Sequence, residues 1–297
     1  MLCFIISYEH ILNKEHIWKK WIEPNKDIIN IYFYYKDHKK IKSSWILHHA
    51  IPENMIEETS YYHVIPAYMN LMKYARYHDR TNEWFCFLTD SCCPIISPKK
   101  FRYLFFNYFH KSIFNWKPAW WNVNLQKRAN LAFLNEELRL ANDPYFILCK
   151  NHAEKIIEFK FRYNKLFQII CKGGLANESL FAVALKQFNE LQNVIQTPSH
   201  LADWSRMMSA TSPYLFQKEN EKNKIFIEKN LTENQLAIFI RKIHPDYPAQ
   251  ILTNYIYEYN KKNESYLFTF EPQMFYILLG FILFIYLAFP AISAFYT

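Results

Sequence analysis

Apolar residues fall into short unbroken runs alternating with stretches of helical spacing. Leu2 to Ser7, Ile29 to Tyr35 and Trp84 to Leu88 are β-branched or aromatic throughout much of their length, which predicts strands buried on both faces. Between them, Ile11 to Ile22 and Ile65 to Tyr77 carry apolar residues at three- and four-residue steps and read as helices. The turn-rich segment Thr89 to Pro98 leads into a helix over Lys99 to Phe109. Further along, Tyr145 to Cys149 reads as a strand and Asn151 to Phe161 as a helix. The Gly173-Gly174 turn leads to a helix over Glu178 to Gln192, and Leu236 to Ile240 is a last strand candidate. Trp116 to Trp121 is Trp- and Pro-rich and reads as a loop, and Gln217 to Thr232 is charged around a short apolar run. Strands alternating with helices predict an α/β domain with a mostly parallel sheet under helical cover.

Met274 to Ala294 carries no charge and matches the roughly 20 residues needed to cross a hydrocarbon core. It predicts a transmembrane helix. The expected organisation is a large folded domain over 1–250, a juxtamembrane segment over 251–273 and a membrane span over 274–294. Lys261 and Lys262 precede the span and no charged residue follows it, so the large domain is expected on the cytosolic side of a single-pass, C-terminally anchored protein. The N-terminal run lacks a basic leader and reads as a strand, not a signal peptide.

Composition narrows the chemistry. The 297 residues include only three glycines, and the adjacent pair Gly173-Gly174 is not followed by a G-K-[ST]. Glycine-rich phosphate loops are thereby excluded, because a backbone cannot approach a phosphate past a Cβ. Six cysteines show no C-x-x-C spacing and eleven histidines form no H-E-x-x-H, so no metal site is expected. The net charge of +8 is scattered and predicts no nucleic-acid partner.

Four segments could carry chemistry. Thr89 to Pro94 follows the third strand, where α/β sheets bind ligands, and is equally compatible with a plain Pro-terminated turn. Asn177-Glu178-Ser179 opens a helix: Glu178 is either a capping carboxylate or a general base. Asp203-Trp204-Ser205-Arg206 is either a surface turn held by an Asp–Arg pair or a way of placing Arg206 on an anion. Arg241-Lys242 ends a strand, either solvated or as a phosphate-capturing pair. No D-x-D occurs, so a sugar-nucleotide enzyme here would stabilise its leaving diphosphate with cationic side chains.

These segments resemble, in order, motifs of the core-2/I-branching β-1,6-N-acetylglucosaminyltransferase family, nearest to its plant-type members. Trp84 to Pro94 (WFCFLTDSCCP) resembles the family's "F-x-L-L-S-E-S-C-x-P", and Asn177 to Leu185 (NESLFAVAL) its "D-E-x-[YF]-x-x-T-L". Ala202 to Arg206 (ADWSR) resembles "V-D-W-S-R", and Ile238 to Lys242 (IFIRK) resembles "L-F-A-R-K-F". The similarity spans about Leu2 to Asp246. It implies a GT-A-like fold and inverting, metal-independent transfer from a UDP-sugar, with N-acetylglucosamine or xylose as the expected sugar and a glycan or glycoprotein hydroxyl as acceptor. The family's catalytic base falls on Glu178 and its diphosphate-binding Lys on Lys242, with Arg206 nearest to an Arg that shares that role. Asp37 resembles a nucleotide-contacting Asp, and Asp90 stands at the family's Glu in the strand-and-turn motif. Both are expected on the donor side. Trp120 and Trp121 are candidates for stacking on the acceptor, and no cofactor is expected. Asn177 departs from the family's Asp, and family members usually have an N-terminal anchor and lumenal disulfides. An alternative is therefore a catalytically inactive membrane protein of the same fold that binds glycans or a protein partner.

Overall fold

A computed structural model describes residues 1–6 and 11–260. Its central sheet is built from β1 (Leu2–Ile6), β2 (Ile31–Tyr35), β3 (Trp84–Thr89) and a later strand in the order β2-β1-β3-β7. Between β3 and that later strand lie β4 (Cys93–Pro94), β5 (Trp116–Pro118) and β6 (Leu140–Asn142); β7 is Ile147–Cys149. β1 runs parallel to β2 with Leu2 opposite Ile31, and parallel to β3 with Leu2 opposite Cys86. β7 closes the sheet antiparallel to β3, with Trp84 opposite Cys149. The sheet is thus mostly parallel, as the alternation of strands and helices predicts, with one reversed edge.

The helices are α1 (Glu15–Ile22), α2 (Ser44–His48), α3 (Ile65–His78), α4 (Pro98–Tyr108), α5 (Lys150–Arg162), α6 (Asn164–Lys172), α7 (Leu180–Gln187), α8 (Glu221–Glu233) and α9 (Ala249–Asn254). Side-chain alternation along the strands builds a core on each face of the sheet. Leu2, Phe4, Phe33, Trp84, Cys86 and Leu88 point to one face and pack with Trp18 and Trp21 of α1 and Phe101 of α4. Cys3, Tyr32, Tyr34, Phe85, Phe87 and Leu148 point to the other, against α3, α5 and α7. Burial on both faces is why these strands read as continuous apolar runs.

A second, three-stranded sheet joins β4 to β9 (Phe239–Arg241) and β8 (His200–Ala202). β8 and β9 are parallel, with Ala202 opposite Arg241, and β4 is antiparallel to β9, with Cys93 opposite Ile240. Trp116–Pro118, expected as loop, pairs antiparallel with Leu140–Asn142. That hairpin brings the tryptophan-rich segment beside Asn142 and Asp143. The charged stretch after Gln217 holds α8, entered through Asn220, whose side chain accepts from Asn223 N. α9 and the turn after it pack into the core through Leu252 and Ile256, so the folded unit continues through Asn260, whose Nδ2 donates to Ile95 O at 3.1 Å.

The expectation of a single-pass membrane protein with a cytosolic domain requires correction. The expected span, 274–294, lies outside the described residues, and among the described residues no helix is long and apolar enough to cross a membrane. The six cysteines are free, and five of them are buried. Burial raises the thiols of Cys3, Cys86, Cys92, Cys93 and Cys171; Cys86 is pushed up to about 11.

Candidate functional site

A cavity of about 400 Å³ opens where the β8–β9 ends, the β6–β7 connection and the turn before α7 converge. Glu178, Arg128, Asp143, Tyr145, His200 and Arg241 line it, with Trp120, Trp204, Met207 and Lys117. Motifs far apart in sequence therefore meet in one concave site.

Glu178 is held by a short rigid turn. Its backbone N donates to Leu175 O at 2.9 Å. Buried Asn142 fastens that turn to α7: its Nδ2 donates to Asn177 O at 2.8 Å while its Oδ1 accepts from Ala182 N at 3.2 Å. The Glu178 carboxylate accepts a hydrogen bond from Arg128 Nη2, and both side chains are largely buried. Burial raises the Glu178 carboxyl above the usual range, while Arg128 and Arg241 pull it down and Asp143 pushes it up again. Asp143 is likewise raised by burial, countered by the hydrogen bond from Asn115 Nδ2 at 3.1 Å and by Lys117 and Arg241. Two carboxyls poised above their ordinary range in one cleft are a mark of proton-transfer chemistry.

Arg241 is the electrostatic hub. It is 8% exposed, and its Cζ lies 4.3 Å from the centroid of the Tyr145 ring. Its Nε is buried without a hydrogen-bond partner, and it has no carboxylate partner among the described residues. A buried guanidinium with open donors beside a cavity suits an anionic ligand. Next to it, His200 Nδ1 sits 2.9 Å from Ser199 Oγ. Burial, reinforced by Arg241, holds this imidazole far below its usual range, so it is neutral at pH 7.

The other expected residues are distributed differently. Lys242 lies outside the cavity lining, and its Nζ donates to Ser212 Oγ at 2.8 Å. Burial and the neighbouring Arg241 lower its ammonium. Arg206 is bound into its own turn: Nε donates to Asp203 Oδ2 at 2.6 Å, Nη1 donates to Asn223 Oδ1 at 2.9 Å, and Cζ lies 4.0 Å from the Tyr214 ring centroid. Asp203, nearly fully buried, also accepts from Ser205 N and Oγ. The D-W-S-R segment is thus a carboxylate-centred turn, and what it presents to the cavity is Trp204. Asp37 caps the short turn after β2, accepting from Lys39 N, and Asp90 occupies the turn after β3. Both sit near the Tyr35 phenol, which burial chiefly, then Asp90 and Asp37, push up. They mark the carboxyl end of the parallel strands, away from the cavity lining. Trp120 is 59% exposed at the cavity, with Lys117 Nζ 4.0 Å from its ring centroid. Trp121 is buried beneath it, 4.4 Å from the Arg128 guanidinium.

Arg128, Asp143, Tyr145 and His200 were not legible as site residues from sequence. Arg128 and Asp143 lie in irregular connections with no motif. A signal did exist for Arg128: the adjacent glycines mark a close backbone approach, and the segment that approaches is the one carrying it. Among the described residues no group of three or more His, Cys, Asp or Glu could hold a metal ion.

The fold and site define a mixed α/β domain that gathers a buried acid, a buried arginine and exposed tryptophans in one cleft, an arrangement suited to a polar, hydroxyl-bearing and anionic substrate. Residues 32–236 match the Core-2/I-Branching enzyme family. The chain belongs to that family, a family of glycosyltransferases, which implies a sugar donor and a glycan acceptor. No curated protein matches the chain.

Proposed function

We propose that this protein is an inverting glycosyltransferase of GT-A-like fold that moves a sugar, N-acetylglucosamine or xylose, from a UDP-sugar to a glycan or protein hydroxyl without a metal ion. The observation that carries the reading is the placement of Glu178 and Arg241 in one cavity, one buried carboxylate and one buried cation that makes no ion pair among the described residues.

In this mechanism the acceptor hydroxyl gives its proton to Glu178 as its oxygen forms a bond to the anomeric carbon. The bond from that carbon to the diphosphate oxygen breaks, and UDP leaves with the electron pair. Arg241 faces the charge developing on the leaving group, a role the family resemblance would give to Lys242. Lys242 then acts from behind, one residue further, through the Ser212 loop. Asp37 and Asp90, at the carboxyl ends of β2 and β3, belong to the nucleotide side, and Trp120 offers a ring face to the acceptor. Arg206 contributes by fixing the turn that presents Trp204.

The ion pair between Arg128 and Glu178 favours a second reading, a non-catalytic glycan binder, because a paired carboxylate is the weaker base. Glu178→Gln separates the two. Donor turnover with UDP-N-acetylglucosamine and UDP-xylose, followed as UDP release in the presence of EDTA, is expected to fall by about 10²–10⁴-fold, the usual contribution of a general base. Near wild-type turnover in a normally folded variant would refute the catalytic role of Glu178. Absence of both turnover and UDP binding in the wild type would favour the binder.

A further inference from the structure

Arg128 and Glu178 lie on segments that are docked to each other through the backbone. Arg128 bridges Gly174 in parallel register, and Ala129 N donates to Gly174 O at 2.8 Å. Gly173 permits this approach: a Cβ there would stand 2.4 Å from Asn130 N and 2.6 Å from the Ala129 carbonyl carbon. Ala129 and Asn130 both adopt left-handed backbone, with φ of 51°, a conformation that costs a non-glycine residue energy. Glu178 follows Gly174 through a single tight turn. Both ends of the ion pair are therefore fixed to one backbone unit.

The side-chain surroundings agree. The Arg128 guanidinium lies 4.4 Å from the Trp121 ring centroid and 5.9 Å from that of Trp120. Its Nε is buried, and among the described residues it has no partner that would draw the guanidinium away from Glu178. Arg128 engages Oε2 of the carboxylate, and Oε1 accepts no hydrogen bond among the described residues. An exposed ion pair would contribute little and would need no such scaffold.

We propose that Arg128 is a positioning residue for the base: it fixes the Glu178 carboxylate through Oε2, sets a cation against it in its buried site and leaves Oε1 free to take the acceptor proton. This rests on the reading of Glu178 as the base. Burial works against the charged carboxylate, and a cation in contact with it offsets that penalty. The other charged groups facing Glu178 are Arg241, which acts in the same sense, and Asp143, which acts against it. Arg128 is the cation that also sets the orientation.

The test is a direct titration of Glu178 in the full chain. Carboxyl ¹³C resonances of glutamate-labelled protein are followed against pH, with Glu178→Gln identifying the signal. In Arg128→Met the Glu178 midpoint is expected to rise by at least about one pH unit, within the range a neighbouring cation accounts for. Arg128→Lys should restore most of that shift. Arg128→Gln, which keeps a hydrogen-bond donor without the charge, should behave like Arg128→Met and covers the case where the Met variant does not fold. The acid limb of UDP-N-acetylglucosamine turnover should move with the midpoint while the donor KM stays constant. An unmoved midpoint in a folded Met or Gln variant would overturn the proposal. Full turnover by Glu178→Gln would defeat the catalytic reading alone, because the titration result stands separately from it.

Discussion

Replacing Arg241 with Met removes the buried cation and leaves a side chain of similar reach over Tyr145. Two separate consequences are expected. Without ligand, Arg241 is a buried charge with no carboxylate partner among the described residues, stabilised by the face of Tyr145 at 4.3 Å. Losing that contact costs about 1–2 kcal/mol for a desolvated pair. Relief of the burial penalty offsets it, since exchanging a buried charged group for a well-packed apolar one is commonly neutral or stabilising. Loss of Arg241's attraction for the Glu178 and Asp143 carboxyls opposes that relief, so the melting temperature should stay about level. Ligand binding should weaken. Hydrogen bonds to a charged group contribute about 1.5–3 kcal/mol, so the affinity for UDP should weaken roughly 10- to 150-fold, at about 1.4 kcal/mol per factor of ten. Calorimetric titration of UDP into the wild type, Arg241→Met and Lys242→Met measures this directly. Lys242→Met, whose ammonium lies outside the cavity lining, should lose less affinity than Arg241→Met. A UDP affinity for Arg241→Met within about twofold of wild type, or the reverse order of the two variants, would refute the placement of the anion at Arg241.

Gly173→Ala should destabilise the fold by about 1–3 kcal/mol, the usual cost of overpacking, because the new methyl would press on the backbone of Ala129 and Asn130; denaturant unfolding measures it, and an unchanged midpoint would show that the two segments are not in contact. His152, buried between Ser112 Oγ at 2.7 Å and Glu190 at 3.5 Å, is held below its ordinary range chiefly by burial. A depressed histidine adds stability that is present above the unfolded-state value near 6.5 and lost as pH falls, at about 1.4 kcal/mol per pH unit. His152→Gln should therefore lose less stability than wild type as the pH falls from 7 to 5.5. Comparing the two proteins cancels the opposite contribution of the raised Glu178 and Asp143 carboxyls, and parallel pH profiles would show that His152 accepts its proton freely in the fold.

Some of the site is readable in the sequence because it sits on elements with strong local patterns. Glu178 lies in the turn leading into an apolar helix, and the Arg241-Lys242 pair ends an apolar strand, so local pattern alone locates both. Local pattern does not decide which of the two adjacent cations enters the cavity. Along β9 the side chains alternate, and the parallel register of Ala202 against Arg241 turns Arg241 toward His200 and Tyr145. Family resemblance directs attention to the neighbouring lysine, one residue and one face away. The D-W-S-R segment shows the same limit. Its spacing makes an Asp–Arg pair one of two readings, but only the burial of Asp203 shows that the pair is consumed in holding the turn and that the tryptophan is what reaches the site.

What the amino-acid order determined by itself was whatever depends on neighbours in sequence. The buried strands, the amphipathic helices and the absence of a glycine-rich phosphate loop all follow from composition and spacing. The tertiary structure decided what depends on residues distant in the chain. It reversed β7 against β3, paired Trp116–Pro118 with Leu140–Asn142, and brought Arg128 onto Glu178 across fifty positions. Periodicity encodes which face of an element is apolar, and that face is satisfied by any apolar neighbour. The choice among neighbours is made only when the whole core closes, and here that closure is what puts a carboxylate, its arginine partner and a second buried arginine around one cavity.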